Sequence, residues 1–529
     1  MTISILLGAT VILLCILAEK FSGQFGMPAL ILFMFVGILF GSDGIIKIPF
    51  SNYTLAEEIC SIALLFIMFY GGFNTKWKAA KNSAGKALLL STVGVLITAG
   101  ITAVLCMFLL KFSLLESLLI GAVLSSTDAA SVFAILRKQK LNLKDGTASL
   151  LELESASNDP FAYLLTVVIV SLLKAEKSVN IPLQVFMQLS VGVVAAIIFA
   201  WIAVYLLLKT KIIAEGLDTI FLIAIMLMCY AFTELCGGNI YLSVYLLGLI
   251  IGNSKIKNKN IIIPFLDGVT SLAQILIFFL LGLLTFPHKM ISVIPIAIAI
   301  ALFVTVIARP IAVFLLLRPF KSSIQQCLLI SWSGLRGAAS SVFAIFVLVS
   351  GVTLHYDLFH IVFLVSLFSV AIQGTFLPLV AQKLAMIDKD SDVRKTFNDY
   401  QEESAITLMR MFIPKGHSWV NKQIKDVNLP AGSLAIMIKR NHNTIITKGD
   451  TKILAGDIII LNVPAYEPKE DEALEEIHID KSHNWRNKPI ANLNLPQDML
   501  IALIIRGDEN LIPDGNTVIQ ENDVVVTYH

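Results

Sequence analysis

Asp159 is an ionisable residue in the middle of an otherwise apolar run, in the sequence Asn158-Asp159-Pro160. It lies about twelve residues into this run, or about 18 Å along a helix, near the centre of a hydrocarbon core about 30 Å thick. A charged side chain at that depth is costly and by default marks a functional site. Asp128 interrupts the preceding apolar run at a comparable depth. Because buried charges persist when they are paired or bind a charged ligand, these residues predict an ion pathway.

The candidate ion-binding residues carry polar side chains at about this depth: Asp159, Asn158, Asp128, Thr127 and Ser155. Ser155 is one helical turn from Asp159 and on the same face. A carboxylate with hydroxyl and backbone oxygens in an unwound stretch suits a partly dehydrated monovalent cation. Desolvation favours the neutral form of a carboxylic acid, so a proton competes for the same site. This competition supports exchange if the site opens to one side at a time. The alternative, an aspartate that only braces a helix break, fits Asp128 better than Asp159.

Three further charged residues interrupt apolar runs, and we expect them to support the site. Glu154 and Arg309 lie at matched depths, about seven and eight residues from the inner ends of their runs, which predicts a structural ion pair. Arg336 is nearer the midplane, where it balances either Asp128 or the exposed carbonyl ends of a broken helix.

The composition indicates a membrane protein, since 56% of the residues are hydrophobic and only 15% are charged. A net charge of +2 gives no electrostatic support for binding nucleic acid. Apolar runs long enough to span a bilayer predict about thirteen transmembrane helices. The runs lie near 3–18, 27–41, 57–73, 86–110, 116–136, 147–172, 183–208, 217–235, 239–252, 264–284, 291–317, 325–350 and 356–382.

The loop charges predict the orientation. With the N-terminus outside, the inner loops hold sixteen Lys and Arg residues and the outer loops hold five. This positive-inside bias places the C-terminal region in the cytoplasm. The chain thus divides into a transmembrane domain at 1–383, a polar linker at 384–403 and a soluble tail.

The tail contains an internal repeat with an offset of 66 residues and no gaps. A dozen identical residues recur in register, among them Trp419 as Trp485, and Asp457 as Asp523. Two copies of one small α/β unit, at 404–466 and 470–529, are the simplest interpretation.

The membrane domain also contains a short repeated sequence, because Ser131-Val132-Phe133-Ala134-Ile135 recurs as Ser341-Val342-Phe343-Ala344-Ile345. Both stretches adjoin polar interruptions of their runs, and the two runs cross the membrane in opposite directions. Paired interrupted helices of this kind indicate inverted repeats around a site at the midplane.

Four stretches resemble the motifs of the monovalent cation:proton antiporters with an Asn-Asp site: 125–128, 154–160, 308–310 and 334–338. The resemblance is greatest to the bacterial potassium/proton antiporter branch that carries a cytoplasmic tail. It implies an α-helical fold of thirteen helices in inverted repeats, with crossed, broken helices around the site. It also implies a homodimer in the bacterial inner membrane that works by elevator-like motion.

In that family, the aspartate of the pair, here Asp159, carries cation and proton in turn. The resemblance gives Asn158 the role of stabilising the helix crossing, and it implies electroneutral one-for-one exchange. One position departs from the pattern, because relatives often carry an acid where this chain has Tyr70, in Phe69-Tyr70-Gly71-Gly72.

Each copy in the tail resembles the TrkA-C module, the C-terminal module of potassium-conductance regulators. The matching residues are 429–430, Arg440, 448–451 and 456–457 in the first copy, and 495–496, 506–507, 513–517 and Asp523 in the second. Such modules pair two-fold and bind small ligands, which implies a cyclic dinucleotide or another nucleotide as a regulatory ligand. Alternatively, the tail only stabilises the dimer.

We therefore expect a secondary antiporter for K⁺ or Na⁺ and H⁺, without a cofactor, in contact with membrane lipid. A potassium channel-like conductance gated by the tail is the alternative, but the chain has no Thr-Val-Gly-Tyr-Gly filter. An enzyme is not expected, because no nucleophile and base constellation or His-x-x-x-His metal pair occurs.

Overall fold

A computed structural model of the chain contains two compact units, Met1–Gln401 and Glu402–His529. The structure describes residues 2–528 except 26–27, 76, 140, 175–179, 210–215, 255, 257–258, 389–405, 428, 430–432, 441–442, 465–473, 481–482, 494, 496–499, 507–508, 512 and 522. Most of the predicted linker 384–403 and the limits predicted between the tail copies lie outside the described residues.

The first unit is almost entirely helical. Its helices are α1 Thr2–Phe25, α2 Ala29–Phe40, α3 Tyr53–Asn74, α4 Trp77–Leu89, α5 Val95–Phe108, α6 Leu114–Val123, α7 Ala129–Lys138, α8 Thr147–Leu173, α9 Ile181–Lys209, α10 Asp218–Leu235, α11 Ile240–Gly252, α12 Lys259–Leu283, α13 Pro287–Phe303, α14 Arg309–Leu317, α15 Ile324–Trp332, α16 Ala338–Val349, α17 Leu358–Phe368 and α18 Thr375–Lys383.

Each apolar run of the sequence coincides with one of these helices or with two that follow each other directly. Among the described residues, eight helical segments are long and apolar enough to cross a membrane, and four shorter helices are also apolar. The predicted helical membrane fold is therefore confirmed, while the count of about thirteen spans stays a prediction.

Two helices of the first unit are broken near their middle. One break separates α6 from α7 at residues 124–128, and the other separates α15 from α16 at residues 333–337. The breaks contact each other, because the backbone N–H of Asp128 donates to the carbonyl of Leu335 over 2.8 Å. Both breaks contain serine and other polar residues, whose side chains and backbone groups bond each other in place of the helical ladder.

A π-helical turn interrupts the helix that precedes each broken helix. One turn, Leu90–Gly94, joins α4 to α5, and the other, Val304–Ala308, joins α13 to α14. A third, Ser369–Gly374, joins α17 to α18. Because π turns leave local backbone groups outside the regular pattern, they are frequent at functional sites.

Close backbone contacts at glycine join two further helix pairs. A Cβ atom on Gly72 of α3 would lie 2.2 Å from the carbonyl oxygen of Tyr245 in α11. A Cβ on Gly37 of α2 would lie 2.2 Å from the carbonyl oxygen of Phe279 in α12. Small residues at such crossings allow transmembrane helices to approach closely. Glycine has this role both where α3 crosses α11 and where α2 crosses α12.

A short antiparallel ladder ends the first unit. Strand β1, Asn142–Leu143, lies between α7 and α8 and pairs with strand β2, Ile387–Asp388, which follows α18. The backbone N–H of Lys144 extends the ladder by donating to the carbonyl of Met386 over 2.9 Å. The loop in front of α8 is thereby bonded to the last described segment before the tail.

The tail consists of two four-stranded antiparallel sheets. Their strands are β3 Ile406–Phe412, β4 Leu434–Arg440, β5 Asn443–Ile446, β6 Ile458–Pro464, β7 Leu474–His478, β8 Leu500–Arg506, β9 Glu509–Leu511 and β10 Val524–Tyr528. The strand orders are β3-β6-β4-β5 and β7-β10-β8-β9, so both copies have the same topology. The predicted sheet-containing tail is confirmed, and among its described residues each copy adds one 3₁₀ turn, Ile424–Asp426 or Ile490–Asn492.

Candidate ion-binding site

The centre of α8 carries Asn158, Asp159 and Pro160, and all three are buried. Pro160 has no N–H group, so the helix loses the hydrogen bond that would reach the carbonyl of Ala156. Asn239, the N-cap of α11, donates from Nδ2 to the carbonyl of Pro160 over 2.7 Å. This contact holds the weakened part of α8 against the start of α11.

The first break packs directly against this part of α8. Ser126 donates its hydroxyl to Oδ1 of Asp159. Nδ2 of Asn158 donates to the hydroxyl oxygen of Thr127 over 2.5 Å, and the hydroxyl of Ser155 donates to the carbonyl of Thr127 over 2.6 Å. Four of the five predicted ion-binding residues therefore lie together around one side of the break.

The amide of Asn158 is only half satisfied. Its Nδ2 has Thr127 as a partner, but Oδ1 is buried and has no hydrogen-bond partner within the described part of the chain. A buried polar atom without a partner is destabilising and calls for an explanation. An amide oxygen beside a buried carboxylate is a suitable ligand for a hard cation.

Asp128 lies in the same break but has different neighbours. Its carboxylate accepts from the backbone N–H of Ser131 over 3.1 Å and from the hydroxyl of Ser131 over 2.5 Å, and so caps the first turn of α7. A Cβ atom on Gly337 would lie 2.1 Å from Oδ2 of Asp128, so the two breaks are in tight contact here. Through these contacts Asp128 connects the first break to α7 and to the second break, as expected for an aspartate with a structural role.

Arg336 of the second break bonds the backbone of the first break, just after the end of α6. Its Nη1 donates to the carbonyls of Ser125 and Ser126 over 3.0 Å and 2.6 Å, and its backbone N–H donates to Ser369. Of the two partners expected from the sequence, the described contacts favour the exposed carbonyl ends over Asp128. A cation placed there compensates the negative end of the half-helix.

Glu154 and Arg309 form a buried ion pair. Nη2 of Arg309 lies 2.7 Å from Oε2 of Glu154, and only 3% and 1% of their side chains are exposed. Arg309 follows the π turn Val304–Ala308 and packs on the second break, since a Cβ on Gly334 would lie 3.0 Å from its Nε. The pair thus connects α8, α14 and the second break.

An aromatic cluster lies one turn beyond Asp159 on α8. The ring of Tyr163 stacks edge to face on Tyr241 with centroids 4.8 Å apart, and it also packs on Phe343 and Phe346. No charge in an apolar run marks these aromatic residues in the sequence, nor Ser126 and Asn239. Ser126 could have been found from its position beside Thr127, and Asn239 from its position as an N-cap before an apolar run.

The described residues contain no group of three or more His, Cys, Asp or Glu side chains that could hold a metal ion. The oxygen atoms around Asp159 instead come from one carboxylate, one amide and the hydroxyl and carbonyl groups of the first break. Such a set suits a weakly held, partly dehydrated cation better than a tightly bound divalent metal.

Similar proteins are found over most of the chain. A K(+)/H(+) antiporter NhaP2 of Shewanella sp. (strain ANA-3) is 34% identical over 461 residues, which cover 86% of this chain and 80% of that protein. A K(+)/H(+) antiporter NhaP of Alkalimonas amylolytica is 31% identical over 463 residues, covering 87% and 81%.

The solved structure of the sodium proton antiporter MjNhaP1 from Methanocaldococcus jannaschii has a similar fold, with a TM-score of 0.64 at 22% identity. The similarity covers 73% of this chain and 99% of that one. Residues 408–464 and 474–526 match the TrkA-C domain, and residues 9–383 match the transmembrane sodium/hydrogen exchanger family. The resemblance inferred from the motifs is confirmed: the chain belongs to the sodium/hydrogen exchanger family.

Proposed function

We propose that this protein is a secondary antiporter that exchanges K⁺ or Na⁺ for H⁺, with Asp159 carrying the cation and the proton in turn. The observation that carries the proposal is the buried carboxylate of Asp159, next in the chain to Asn158, whose buried Oδ1 has no hydrogen-bond partner among the residues that the structure describes. The relatives named as K(+)/H(+) antiporters support the choice of ions.

The charges at the centre of the first unit support one-for-one exchange. Asp128, Glu154 and Asp159 carry three negative charges when ionised, against two positive charges on Arg309 and Arg336. One monovalent cation, or one proton on Asp159, balances the remaining negative charge. The site then has the same net charge with either ion, so its movement across the membrane does no electrical work and the exchange is electroneutral.

The neighbours of Asp159 divide into ligands and supports. Ser126 donates to the carboxylate, and its hydroxyl can turn to offer its oxygen to a cation instead. Asn158 and Ser155 hold Thr127, and through it the first break, against α8. Further away, Glu154 neutralises the charge of Arg309, and Arg336 compensates the carbonyl groups of the first break; none of these three residues exchanges ions.

The wider arrangement is part of the same proposal. The protein lies in the bacterial inner membrane with its N-terminus outside and its tail in the cytoplasm, in accord with the loop charges. It works as a homodimer, and the unit with the broken helices moves in an elevator-like manner against helices such as α2, α3, α11 and α12, whose tight crossings suit a rigid support.

We also propose the division into a transport domain at 1–383, a linker at 384–403 and two TrkA-C-like modules at 404–466 and 470–529. The matched residues of the two TrkA-C domains fall within these modules. The tail regulates transport by binding a small cytoplasmic ligand, for which a cyclic dinucleotide or another nucleotide is the proposed class.

Proton flux in liposomes tests the function. Purified protein is reconstituted with a pH dye in the lumen, and K⁺ or Na⁺ is added outside. The expected result is alkalinisation of the lumen as the cation enters, at a rate that does not change when an ionophore clamps the membrane potential. Asp159→Asn should abolish the signal, whereas Asp450→Asn, in an exposed turn of the tail, should keep it.

Exchange that persists in folded Asp159→Asn protein would remove Asp159 from the central role. Cation entry without any proton movement, and with a rate that follows the membrane potential, would instead establish a channel-like conductance.

A further inference from the structure

Tyr70 and Asp267 form a hydrogen bond between two helices of the first unit. The hydroxyl of Tyr70 in α3 donates to Oδ1 of Asp267 in α12 over 2.7 Å. Tyr70 is one turn before the end of α3, and Asp267 is about 12 Å along α12 from its start at Lys259. Both residues thus lie inside helices, near ends that adjoin loops predicted to be cytoplasmic.

α12 has two different exposed faces. Ile261, Phe265 and Leu272 are exposed and lie on one apolar face. Asp267 and Ser271 are also exposed, but at about 100° per residue they project roughly 100° or more away from that face. The polar residues therefore point in a direction other than that of the apolar surface suited to lipid.

The exposure of Asp267 indicates contact with water rather than with lipid. A carboxylate that faces hydrocarbon is costly, and acidic residues in membrane helices almost always face a protein interior or a water-filled cavity. The hydroxyl of Tyr70 directs the carboxylate toward α3, and a hydrogen bond to a carboxylate is stronger than one between neutral groups. The described contacts hold Asp267 in a defined place on this face.

The hydrogen bond between Tyr70 and Asp267 also bears on the departure of this chain from the motif of its relatives, which often carry an acid where this chain has Tyr70. The motif resemblance leads us to expect an acid at this position of α3, and the chain has a tyrosine instead. The structure brings a carboxylate to the tyrosine hydroxyl from α12, a different helix. A negative charge is thus kept near the end of α3, although it comes from another part of the chain.

We propose that Asp267, oriented by Tyr70, is a positioning residue that attracts the monovalent cation on its way from the cytoplasm to Asp159 and sets the apparent affinity on that side. This inference rests on the proposed antiport function. Asp267 takes no part in the exchange of cation for proton. It raises the local concentration of a partly hydrated alkali cation, because a fixed negative charge attracts cations from the surrounding water.

The test measures transport from each side separately. Inside-out and right-side-out vesicles expose the two faces, and protease access to the tail identifies the cytoplasmic face. In Asp267→Asn, the cation concentration for half-maximal exchange should rise about tenfold on the cytoplasmic face only. The rate at saturating cation and the half-maximal concentration on the opposite face should stay unchanged.

Two further variants distinguish charge from structure. Tyr70→Phe keeps the carboxylate but not its hydrogen bond, and should raise the cytoplasmic half-maximal concentration about two- to threefold. The double variant Tyr70→Glu with Asp267→Asn moves the acid to α3, and should restore the wild-type value within about twofold.

A change of the same size on both faces, or a lower rate at saturating cation without a change in affinity, would overturn the inference in favour of a structural role. So would an unchanged cytoplasmic affinity. If Asp267→Asn fails to fold, the test relies on Tyr70→Phe and on the double variant Tyr70→Glu with Asp267→Asn. The inference is overturned if Tyr70→Phe keeps the wild-type cytoplasmic affinity and the double variant loses it. Failure of the proposed function would show separately, as an absence of coupled exchange in wild-type protein.

Discussion

Replacing Glu154 by glutamine keeps the size of the side chain and removes the charge that Arg309 faces. The two groups are 2.7 Å apart and at most 3% exposed, so the guanidinium would stay buried without its counter-charge. Removing one partner of a buried ion pair costs about 3–5 kcal/mol of folding free energy. Arg309 also contacts the second break through Gly334, so the loss should disturb the site as well as the fold.

The assay is the unfolding free energy of the purified protein in detergent, measured alongside proton flux. Glu154→Gln should lower both stability and transport. The double variant Glu154→Gln with Arg309→Gln serves as the matched control, because it removes both charges and should recover part of the stability. Normal stability with lost transport in Glu154→Gln would refute this reasoning and make Glu154 a group that handles ions.

Two other perturbations have definite outcomes. Gly72→Ala should destabilise the protein by about 1–3 kcal/mol, because its Cβ would lie 2.2 Å from the carbonyl oxygen of Tyr245, whereas Gly71→Ala, with nothing within 4 Å, should be close to neutral in the same unfolding assay. In the tail, burial by itself would raise the pKa of Asp457, but hydrogen bonds from Arg440 and from the N–H of Leu454, with the charge of Arg440, outweigh it and hold the pKa below its ordinary value. The stabilisation by Asp457 is therefore present above about pH 4 and is lost as the pH falls further, so the protection of the β4 and β6 amides, taken relative to the intrinsic exchange rate at each pH, should decrease there. Asp457→Asn should remove this pH dependence, and unaltered dependence would contradict it.

The central residues of the membrane unit could be found from the sequence because charge is so unfavourable in an apolar run. Asp159 and Arg309 are conspicuous there, and helix length gives their depth directly. The repeat of the tail was equally evident, since both copies keep the same spacing of Arg440 and Asp457, or of Arg506 and Asp523.

The contacts inside the broken helices could not be predicted in this way. A broken stretch has no helical period, so the sequence does not tell which of Ser126, Thr127 and Asp128 faces α8 and which faces the second break. The partner of Arg336 remained open for the same reason. The pairing of Tyr70 with Asp267 depends on how α3 and α12 are rotated against each other, which short motifs do not specify.

The ladder of β1 and β2 has a mechanical consequence. The segment that leads toward the tail is bonded at Met386 and Ile387 to the loop that begins α8, the helix of Asp159. The last described residues before the tail therefore have a direct backbone connection to the segment that leads into α8. A displacement of β2 would therefore reach the start of α8 through only a few hydrogen bonds. Breaking these hydrogen bonds would let β2 move without moving α8.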